Sequence, residues 1–152
     1  MSALIQRLRE ARKTGNVAPL TDTIPYAAWM RIAPETGTGE LLTRMRFAPE
    51  LIGNTSLPAL HGGTLGAMLE MAAIFHLLWE TDTETVPKIV NITVDYLRSA
   101  RPLDTLAAAK VTKQGRRMVN VDIEAWQDDR SKPVATANAH FLLKSADEPS
   151  AL

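Results

Sequence analysis

The sequence predicts an α+β domain in which a curved antiparallel sheet wraps around one long, buried helix. The stretch 59–79 is the longest apolar run among the 152 residues, and it is too long for a typical strand. Six other segments, two before this run and four after it, alternate apolar and polar residues as half-buried strands do. A helix that is apolar on nearly every side needs a sheet that curls around it, so these observations define the fold class.

One helix and two strands are predicted before the central helix. Residues 2–13 are expected to be helical, because Ser2 can cap the helix and its apolar residues fall on one stripe. That stripe consists of Leu4, Ile5, Leu8 and Ala11. Residues 15–25 contain glycine and prolines and are predicted to form a loop. The two strands are expected over residues 26–32 and 40–47.

The central helix is expected to begin within residues 61–64 and to end at Trp79. A connection over 49–58 precedes it, and a polar loop over 80–85 follows it. The four later strands are predicted over residues 88–98, 105–112, 118–126 and 134–143. We expect them to form a meander, in which each strand pairs with the next, followed by a flexible polar tail over 145–152.

Each later strand has one apolar face that should lie against the helix. The members of these faces are Val90, Ile92, Val94 and Tyr96, then Ala107, Ala109 and Val111, then Val119, Val121, Ile123 and Ala125, and finally Ala135, Ala137, Ala139 and Phe141. Because side chains alternate between the two faces of a strand, these sets predict the register of the core.

The composition excludes several classes of function. The chain has 17 basic and 17 acidic residues, and this balance argues against a nucleic-acid or membrane partner. It has no cysteine, which excludes disulfides and thiolate chemistry, and its three histidines lack ligand spacing, so no metal site is predicted. The charged N-terminus has no apolar core of a signal peptide. We therefore expect one cytoplasmic domain over residues 1–152.

The start and the middle of the central helix carry the residues on which a functional hypothesis depends. His61, Gly62 and Gly63 open the helix, and Glu70 lies in its apolar middle. The first turn of a helix presents unpaired N–H groups, and glycines let a ligand approach them closely. A buried carboxylate is costly without a partner or a function, and burial raises its pKa towards that of a base working near neutrality. The structural alternatives are a helix cap or a bond to a backbone group for His61, and for Glu70 a pairing with an arginine or a backbone amide across an interface.

This motif resembles that of the hotdog-fold acyl-CoA thioesterases, especially their phenylacetate-degradation and 4-hydroxybenzoyl-CoA branches. The resemblance rests on His61-Gly62-Gly63 followed by Glu70, nine residues after the histidine. The stretches Ile92-Thr93-Val94-Asp95-Tyr96-Leu97-Arg98-Ser99-Ala100 and Gln114-Gly115-Arg116-Arg117 add to it. The order of the elements over residues 40–143 agrees with that family, which implies a hotdog fold.

The resemblance also implies roles for individual residues. Gly62 would offer its backbone N–H to the thioester carbonyl, with Gly63 beside it in the substrate site, and Glu70 would act as nucleophile or as general base for water. Hydrolysis of an acyl- or aroyl-CoA thioester is the activity implied, with coenzyme A as part of the substrate and no separate cofactor. Donors of this kind stabilise the oxyanion that develops in acyl transfer.

The spacing of the two residues implies more than one subunit. Eight residues of helix separate Gly62 from Glu70 by about 12 Å. A thioester carbonyl and its attacking group must lie within about 3.5 Å of each other. One helix cannot bring both residues to the same carbon, so a site that uses both combines Gly62 of one chain with Glu70 of another. We therefore expect a homodimer, or a dimer of dimers, with antiparallel central helices.

Asn54 and four arginines complete the set of candidate site residues. Members of the phenylacetate branch carry an asparagine six residues before the motif histidine, whereas Asn54 lies seven before His61. Either Pro58 absorbs the extra residue or Asn54 forms an Asx turn in the loop. The candidates for binding the phosphates of coenzyme A are Arg98, Arg101, Arg116 and Arg117, for which the alternative is a solvated turn.

Two other classes of function stay open. One is a hotdog dehydratase, although Phe75 stands where one such group has a histidine five residues after its acid. The other is a non-catalytic module that binds acyl-CoA, because fold alone does not imply function. His76, six residues after Glu70, is expected to be a core or interface histidine.

Overall fold

The computed structural model describes residues 3–81, 83 and 85–143. The α-helices are α1 (Ala3–Thr14), α2 (Pro25–Trp29) and α3 (Gly62–Glu80). The strands are β1 (Ile32–Thr36), β2 (Leu41–Met45), β3 (Ile52–Asn54), β4 (Ala59–Leu60), β5 (Lys88–Tyr96), β6 (Thr105–Gln114), β7 (Met118–Trp126) and β8 (Ala135–Leu142). Two short 3-10 helices occupy Ala18–Thr23 and Pro49–Leu51. The predicted tail over 145–152 and the Ser2 cap lie outside the described residues.

The predicted α+β fold, with a curved antiparallel sheet around a long central helix, is confirmed. Six strands pair in the order β1-β2-β6-β7-β8-β5, and β3 and β4 form a separate two-stranded sheet. The helix α3 packs against the large sheet, and 10 of its 19 residues are buried. By length and composition α3 would also suit a membrane span, but 56% of its most apolar window is buried inside the domain, as in a core helix.

The expectation of a four-stranded meander is wrong for β5. Strands β6, β7 and β8 do pair in sequence order, but β5 pairs with β8 and becomes an edge of the sheet. The connection over 97–104 contains Pro102 and is longer than the usual hairpin loop of two to five residues, so it can carry the chain across the sheet. The three-residue turn between β6 and β7, in contrast, enforces pairing of neighbours.

The predicted inward faces of β7 and β8 are confirmed, because all eight residues are buried. In β6 Ala107 and Ala109 are buried as predicted. In β5 the predicted face is wrong at its first member. Val90 is the extra residue of a bulge between Ile89 and Asn91, and it is 54% exposed, while Ile89 packs against the core. A bulge shifts the alternation by one residue, which a period of two cannot foresee.

The prediction of a strand over 26–32 is also wrong. Pro25 begins the short helix α2, in the position where its fixed φ favours a helix and its missing N–H costs nothing. Arg31, with φ of 57°, ends this turn, and β1 begins only at Ile32. The loop over 49–58 likewise contains more structure than expected, since β3 lies within it.

The helix α1 closes the far end of α3. Its predicted apolar stripe is confirmed, because Leu4, Ile5, Leu8 and Ala11 are all buried. Arg12 follows Leu8 by four residues and so lies on the same side of α1, where its guanidinium donates to the carbonyl oxygens of Leu78, Trp79 and Thr81, at 2.9, 3.1 and 2.6 Å. These carbonyls have no partner inside the helix, so Arg12 satisfies the C-terminal end of α3 and fixes its position.

Candidate active site

The first turn of α3 is held by its own cap. His61 precedes the helix, and its Nδ1 accepts a hydrogen bond from the Gly63 N–H at 2.9 Å. The His61 carbonyl accepts from the Thr64 N–H at 2.9 Å and from the Thr64 hydroxyl at 2.6 Å. An imidazole that accepts at Nδ1 carries its proton on Nε2. The structure thus shows the helix-cap role of His61, and any direct contact with substrate stays a prediction.

The small sheet of β3 and β4 positions this cap. The His61 N–H donates to the Leu51 carbonyl at 2.8 Å, so the residue is tied to the start of β3. A Cβ atom at Gly53 would lie 2.8 Å from Cα, Cβ and Cδ2 of His61, which is closer than such contacts allow. Glycine at position 53 is therefore needed for the histidine to lie against the hairpin.

The Gly62 amide is available at the start of α3. Within the ranges that the structure covers, no atom accepts a hydrogen bond from it. The residue is half-buried, and its carbonyl accepts from the Tyr96 hydroxyl at 2.9 Å. The amide is one of the N–H groups that a helix N-terminus leaves unpaired, and it lies at the positive end of the helix dipole. It has the chemistry of an oxyanion donor.

Glu70 lies in the middle of α3 and is half-buried. Among the described residues it has neither a hydrogen-bond partner nor an ion-pair partner. Burial raises the pKa of its carboxyl above the ordinary 4.5. Gly63, Gly66 and Ala67 are also not fully buried, and they share one side of the helix with Glu70, so small residues leave a path along α3 to the acid. A half-buried carboxylate with a raised pKa is suited to act as a base.

A single chain does not bring Gly62 and Glu70 together. Both lie on one uninterrupted helix, so the spacing of about 12 Å given by the helical rise applies.

Asn54 forms the Asx turn that was one of its two predicted alternatives. Its Oδ1 accepts from the Ser56 N–H at 3.0 Å and from the Leu57 N–H at 3.2 Å. The residue is exposed at the end of β3 and pairs with Ala59, which lies two residues before His61. A contact between its side-chain amide and a thioester carbonyl stays a prediction.

The four arginines lie in two groups at opposite ends of the sheet. Arg98 and Arg101 follow the end of β5, where Tyr96 pairs with Ala135. Arg116 and Arg117 precede Met118, which pairs with Leu142 at the other end of β8, about 23 Å away along the strand. Arg98 donates to the Pro133 carbonyl at 2.7 Å and Arg101 forms an ion pair with Asp128. One chain therefore offers no single cluster for the phosphates.

A cavity of about 950 Å³ lies away from both Gly62 and Glu70. His76 lines it, and the pKa of this imidazole is lowered by burial, against the opposing effect of Glu80 and Glu40. The charged groups of the lining are Glu40, Glu80, Asp95, Asp122, Glu124, Lys110 and Arg130. Because acids outnumber bases there, the cavity is a poor site for the phosphates of a nucleotide. The sequence around His76 gave no indication of this cavity.

The outer strand β5 exposes apolar side chains. Val90, Tyr96 and Leu97 are 54%, 56% and 50% exposed, in or directly after the edge strand. Tyr96 was predicted only as a member of an apolar strand face, and its contact with Gly62 was missed. The two residues are 34 positions apart, and no local pattern marks a hydroxyl whose partner lies so far along the chain.

The fold and the site define a class of protein in which a curved sheet surrounds one helix. That helix carries a backbone amide available in its first turn, at Gly62, and a half-buried acid in its middle, at Glu70. The sequence profile of the thioesterase superfamily matches residues 57–134. The chain belongs to that superfamily and has its hotdog fold. No match was found among curated proteins.

Solved structures with the same fold agree with this assignment. A protein of Chromobacterium violaceum is 42% identical, with a TM-score of 0.75 and coverage of 93% of this chain and 99% of that one. A Ralstonia eutropha JMP134 protein, provisionally described as a phenylacetic acid degradation-related thioesterase, is 24% identical, with a TM-score of 0.69 and coverage of 79% and 90%. A Bacillus halodurans protein solved with CoA is 16% identical, with a TM-score of 0.71 and coverage of 94% and 92%. The last two likenesses show the fold alone.

Proposed function

We propose that the protein hydrolyses an acyl- or aroyl-CoA thioester. The observation that carries this proposal is the combination, on α3, of the Gly62 amide and the half-buried Glu70 carboxylate, neither of which has a partner among the described residues. Membership of the thioesterase superfamily supports it. So do the CoA in the Bacillus halodurans structure and the description of the Ralstonia eutropha protein.

The two groups supply the two needs of thioester hydrolysis. Glu70 takes a proton from water, and the hydroxide adds to the carbonyl carbon while the carbonyl oxygen becomes an oxyanion held by the Gly62 N–H. The C–S bond then breaks, the thiolate of coenzyme A takes the proton from Glu70, and a carboxylic acid is released. In the alternative, Glu70 attacks the carbonyl itself and water cleaves the resulting anhydride. Neither route needs a cofactor beyond the coenzyme A of the substrate.

The proposal requires a second copy of the chain. Gly62 and Glu70 of one helix are about 12 Å apart, so each site takes its amide from one subunit and its acid from the other. Pairing of two β5 edges would bury Val90 and Leu97 and extend the sheet across a twofold axis. Such a pairing is antiparallel, and it sets the start of one α3 beside the middle of its partner.

The same arrangement would gather the arginines. In an antiparallel pairing the end of the sheet with Arg98 and Arg101 approaches the partner's opposite end, which carries a second Arg116 and Arg117. The phosphates of coenzyme A would then meet guanidinium groups from both subunits. Arg116 is the first candidate, because it is exposed and makes no ion pair with a described residue.

Mixing two inactive variants tests this proposal. Glu70→Gln removes the base and Gly62→Pro removes the amide donor, so each alone should lose about 100-fold or more of the activity on acyl- and aroyl-CoA thioesters. After subunit exchange, half of the dimers hold one chain of each kind, and each of these has one intact site. About a quarter of the wild-type activity should therefore return. The matched control is a chain that carries both substitutions, which should recover nothing when mixed with either single variant.

The outcomes separate the alternatives. Mixed dimers that form without recovery of activity would place the site within one chain. A wild-type protein that binds a CoA thioester and leaves it intact would be a binding module, and one that removes water from a 3-hydroxyacyl-CoA would be a dehydratase.

A further inference from the structure

Tyr96 links the edge strand of the sheet to the first turn of α3. It is the last residue of β5, and its hydroxyl donates to the Gly62 carbonyl at 2.9 Å. Its ring covers the same residue, since a Cβ atom added at Gly62 would lie 3.2 to 3.4 Å from three of its atoms. A Cβ at Gly66, one turn further on, would lie 3.7 Å from the hydroxyl. The tyrosine therefore packs against the glycine side of the helix start.

The hydroxyl completes a set of bonds that fixes both peptide groups around Gly62. The peptide group between Gly62 and Gly63 is held at its carbonyl by Tyr96 and at its N–H by the His61 imidazole, at 2.9 Å each. The preceding peptide group is held at the His61 carbonyl by the Thr64 N–H and hydroxyl, at 2.9 and 2.6 Å. The one polar group of these two peptides that remains without a described partner is the Gly62 N–H.

Such fixing matters because glycine has more backbone freedom than any other residue. The direction of the Gly62 N–H depends on the dihedral angles on either side of its Cα. A donor stabilises an oxyanion efficiently only when it is aimed before the charge develops, since reorientation during the reaction costs free energy. A residue at position 62 with a side chain would constrain the backbone, but it would press against the Tyr96 ring.

We propose that Tyr96 is a positioning residue that aims the Gly62 amide at the thioester oxygen. This inference rests on the proposed function, because it assigns the residue that prepares the oxyanion donor of that reaction. Tyr96 acts through the backbone of Gly62 and takes no part in the transfer of protons or acyl groups. Its hydroxyl is already bonded to the Gly62 carbonyl, so it is not free to donate to the substrate as well.

Replacement of Tyr96 by phenylalanine tests the proposal, because the ring stays and only the hydroxyl is lost. We expect kcat to fall about 3- to 10-fold, the equivalent of one hydrogen bond, with KM changed less than about twofold. Tyr26→Phe is the matched control. Tyr26 is similarly exposed, at 51%, and its hydroxyl has no hydrogen-bond partner among the described residues, so both constants should stay at wild-type values.

A second measurement does not depend on activity. With ¹⁵N-glycine labelling, the chain gives at most eight amide signals. In Tyr96→Phe the signals of Gly62 and Gly63 should shift and the Gly63 amide should exchange about 5-fold faster, because its peptide group loses the Tyr96 bond at the carbonyl and keeps only the bond within α3 there. The signal of Gly115, in a distant turn, should not move, and Tyr26→Phe should leave all the signals unchanged.

The two measurements separate two kinds of failure. Unchanged glycine signals, an unchanged kcat, or a rise in KM alone would each overturn the positioning role. Shifted Gly62 and Gly63 signals in a protein that hydrolyses no CoA thioester would support the contact and overturn the proposed function instead.

Discussion

The two edges of the six-stranded sheet differ in how far other segments cover them. The β1 edge lies against the 3-10 helix Ala18–Thr23 and the helix α2, and it contains Pro34, which cannot donate to another strand. Leu20 and Ala27 of these covering segments are fully buried. No segment among the described residues covers the β5 edge in this way, and Val90, Tyr96 and Leu97 lie about half-exposed along it or just after it.

In the proposed dimer, this difference makes the β5 edge the side that meets the second chain. An open strand edge with apolar side chains invites pairing, and natural proteins usually cover or charge it. Within the described part of the chain, one edge is covered and the other lies open beside the start of α3, where Tyr96 contacts Gly62. The Gly62 amide and the open strand edge thus lie on the same side of the molecule, which supports the proposal that one dimer contact completes both the site and the sheet.

The largest expected effect comes from charging the open edge. In Val90→Lys a cation replaces an exposed apolar residue of β5, and in a twofold pairing it would face the same edge of another chain. We expect a monomer in sedimentation equilibrium and a loss of thioesterase activity of about 1000-fold, because each site loses the acid that the partner supplies.

Thr36→Lys is the control for the covered edge. Thr36 is the exposed last residue of β1, so the variant adds the same charge at the other side of the sheet. It should keep both the assembly and the activity of the wild type. A dimeric and fully active Val90→Lys protein would contradict the assignment of the open edge as the interface.

The second prediction concerns the amide that lies beside the open edge. Gly62→Pro removes the N–H at the first helical position, where proline is favoured, and His61 has the extended backbone (φ −64°, ψ 133°) that a following proline requires. Gly62→Ala adds a Cβ at the same place but keeps the N–H. Both variants crowd the Tyr96 ring alike, so the ratio of their kcat values isolates the effect of the Gly62 N–H. We expect kcat to be about 100-fold lower for Gly62→Pro than for Gly62→Ala. Equal rates would remove the Gly62 amide from the mechanism.

How much of the fold could be predicted depended on whether a feature arises from neighbours in the chain or from residues far apart in it. The bounds of β7 were predicted to the residue, because alternation is a property of neighbours in the chain. The order of the sheet was not, since the pairing of β5 with β8 depends on how the connection over 97–104 crosses the sheet. The short helix α2 was mistaken for a strand because five residues carry too little periodicity to distinguish the two.

The site shows the same limit. Glu70 and Gly62 could be named as candidates because both belong to one continuous motif at a fixed offset. Tyr96 could not, because the partner of its hydroxyl is 34 residues away. The cap formed by Arg12 on the carbonyls of α3 joins residues more than 60 positions apart, so no local pattern could predict it.

The smallest expected effect is that of Glu70→Gln on stability. It tests whether the Glu70 carboxylate lacks a favourable partner in the folded protein. Burial raises the pKa of this carboxyl above 4.5, so the folded chain favours the protonated form. The direction in which stability changes with pH follows from the difference between the folded and unfolded pKa of this carboxyl. The favourable contribution of the protonated carboxyl is complete below the unfolded pKa and is lost as the pH rises through the folded value. Glu70→Gln has no such titration, so the stability of the wild type should fall relative to that of Glu70→Gln as the pH rises.

We accordingly expect Glu70→Gln to melt about 2 °C higher than the wild type at pH 7 and at the same temperature near pH 4, as measured by thermal unfolding followed by circular dichroism. Glu10→Gln, at an exposed acid of α1, should change the melting temperature at neither pH. A Glu70→Gln protein that is less stable at pH 7 would mean that the carboxylate has a favourable partner in the assembled protein. In that case the structural alternative, an ion pair across the interface, would replace the catalytic base.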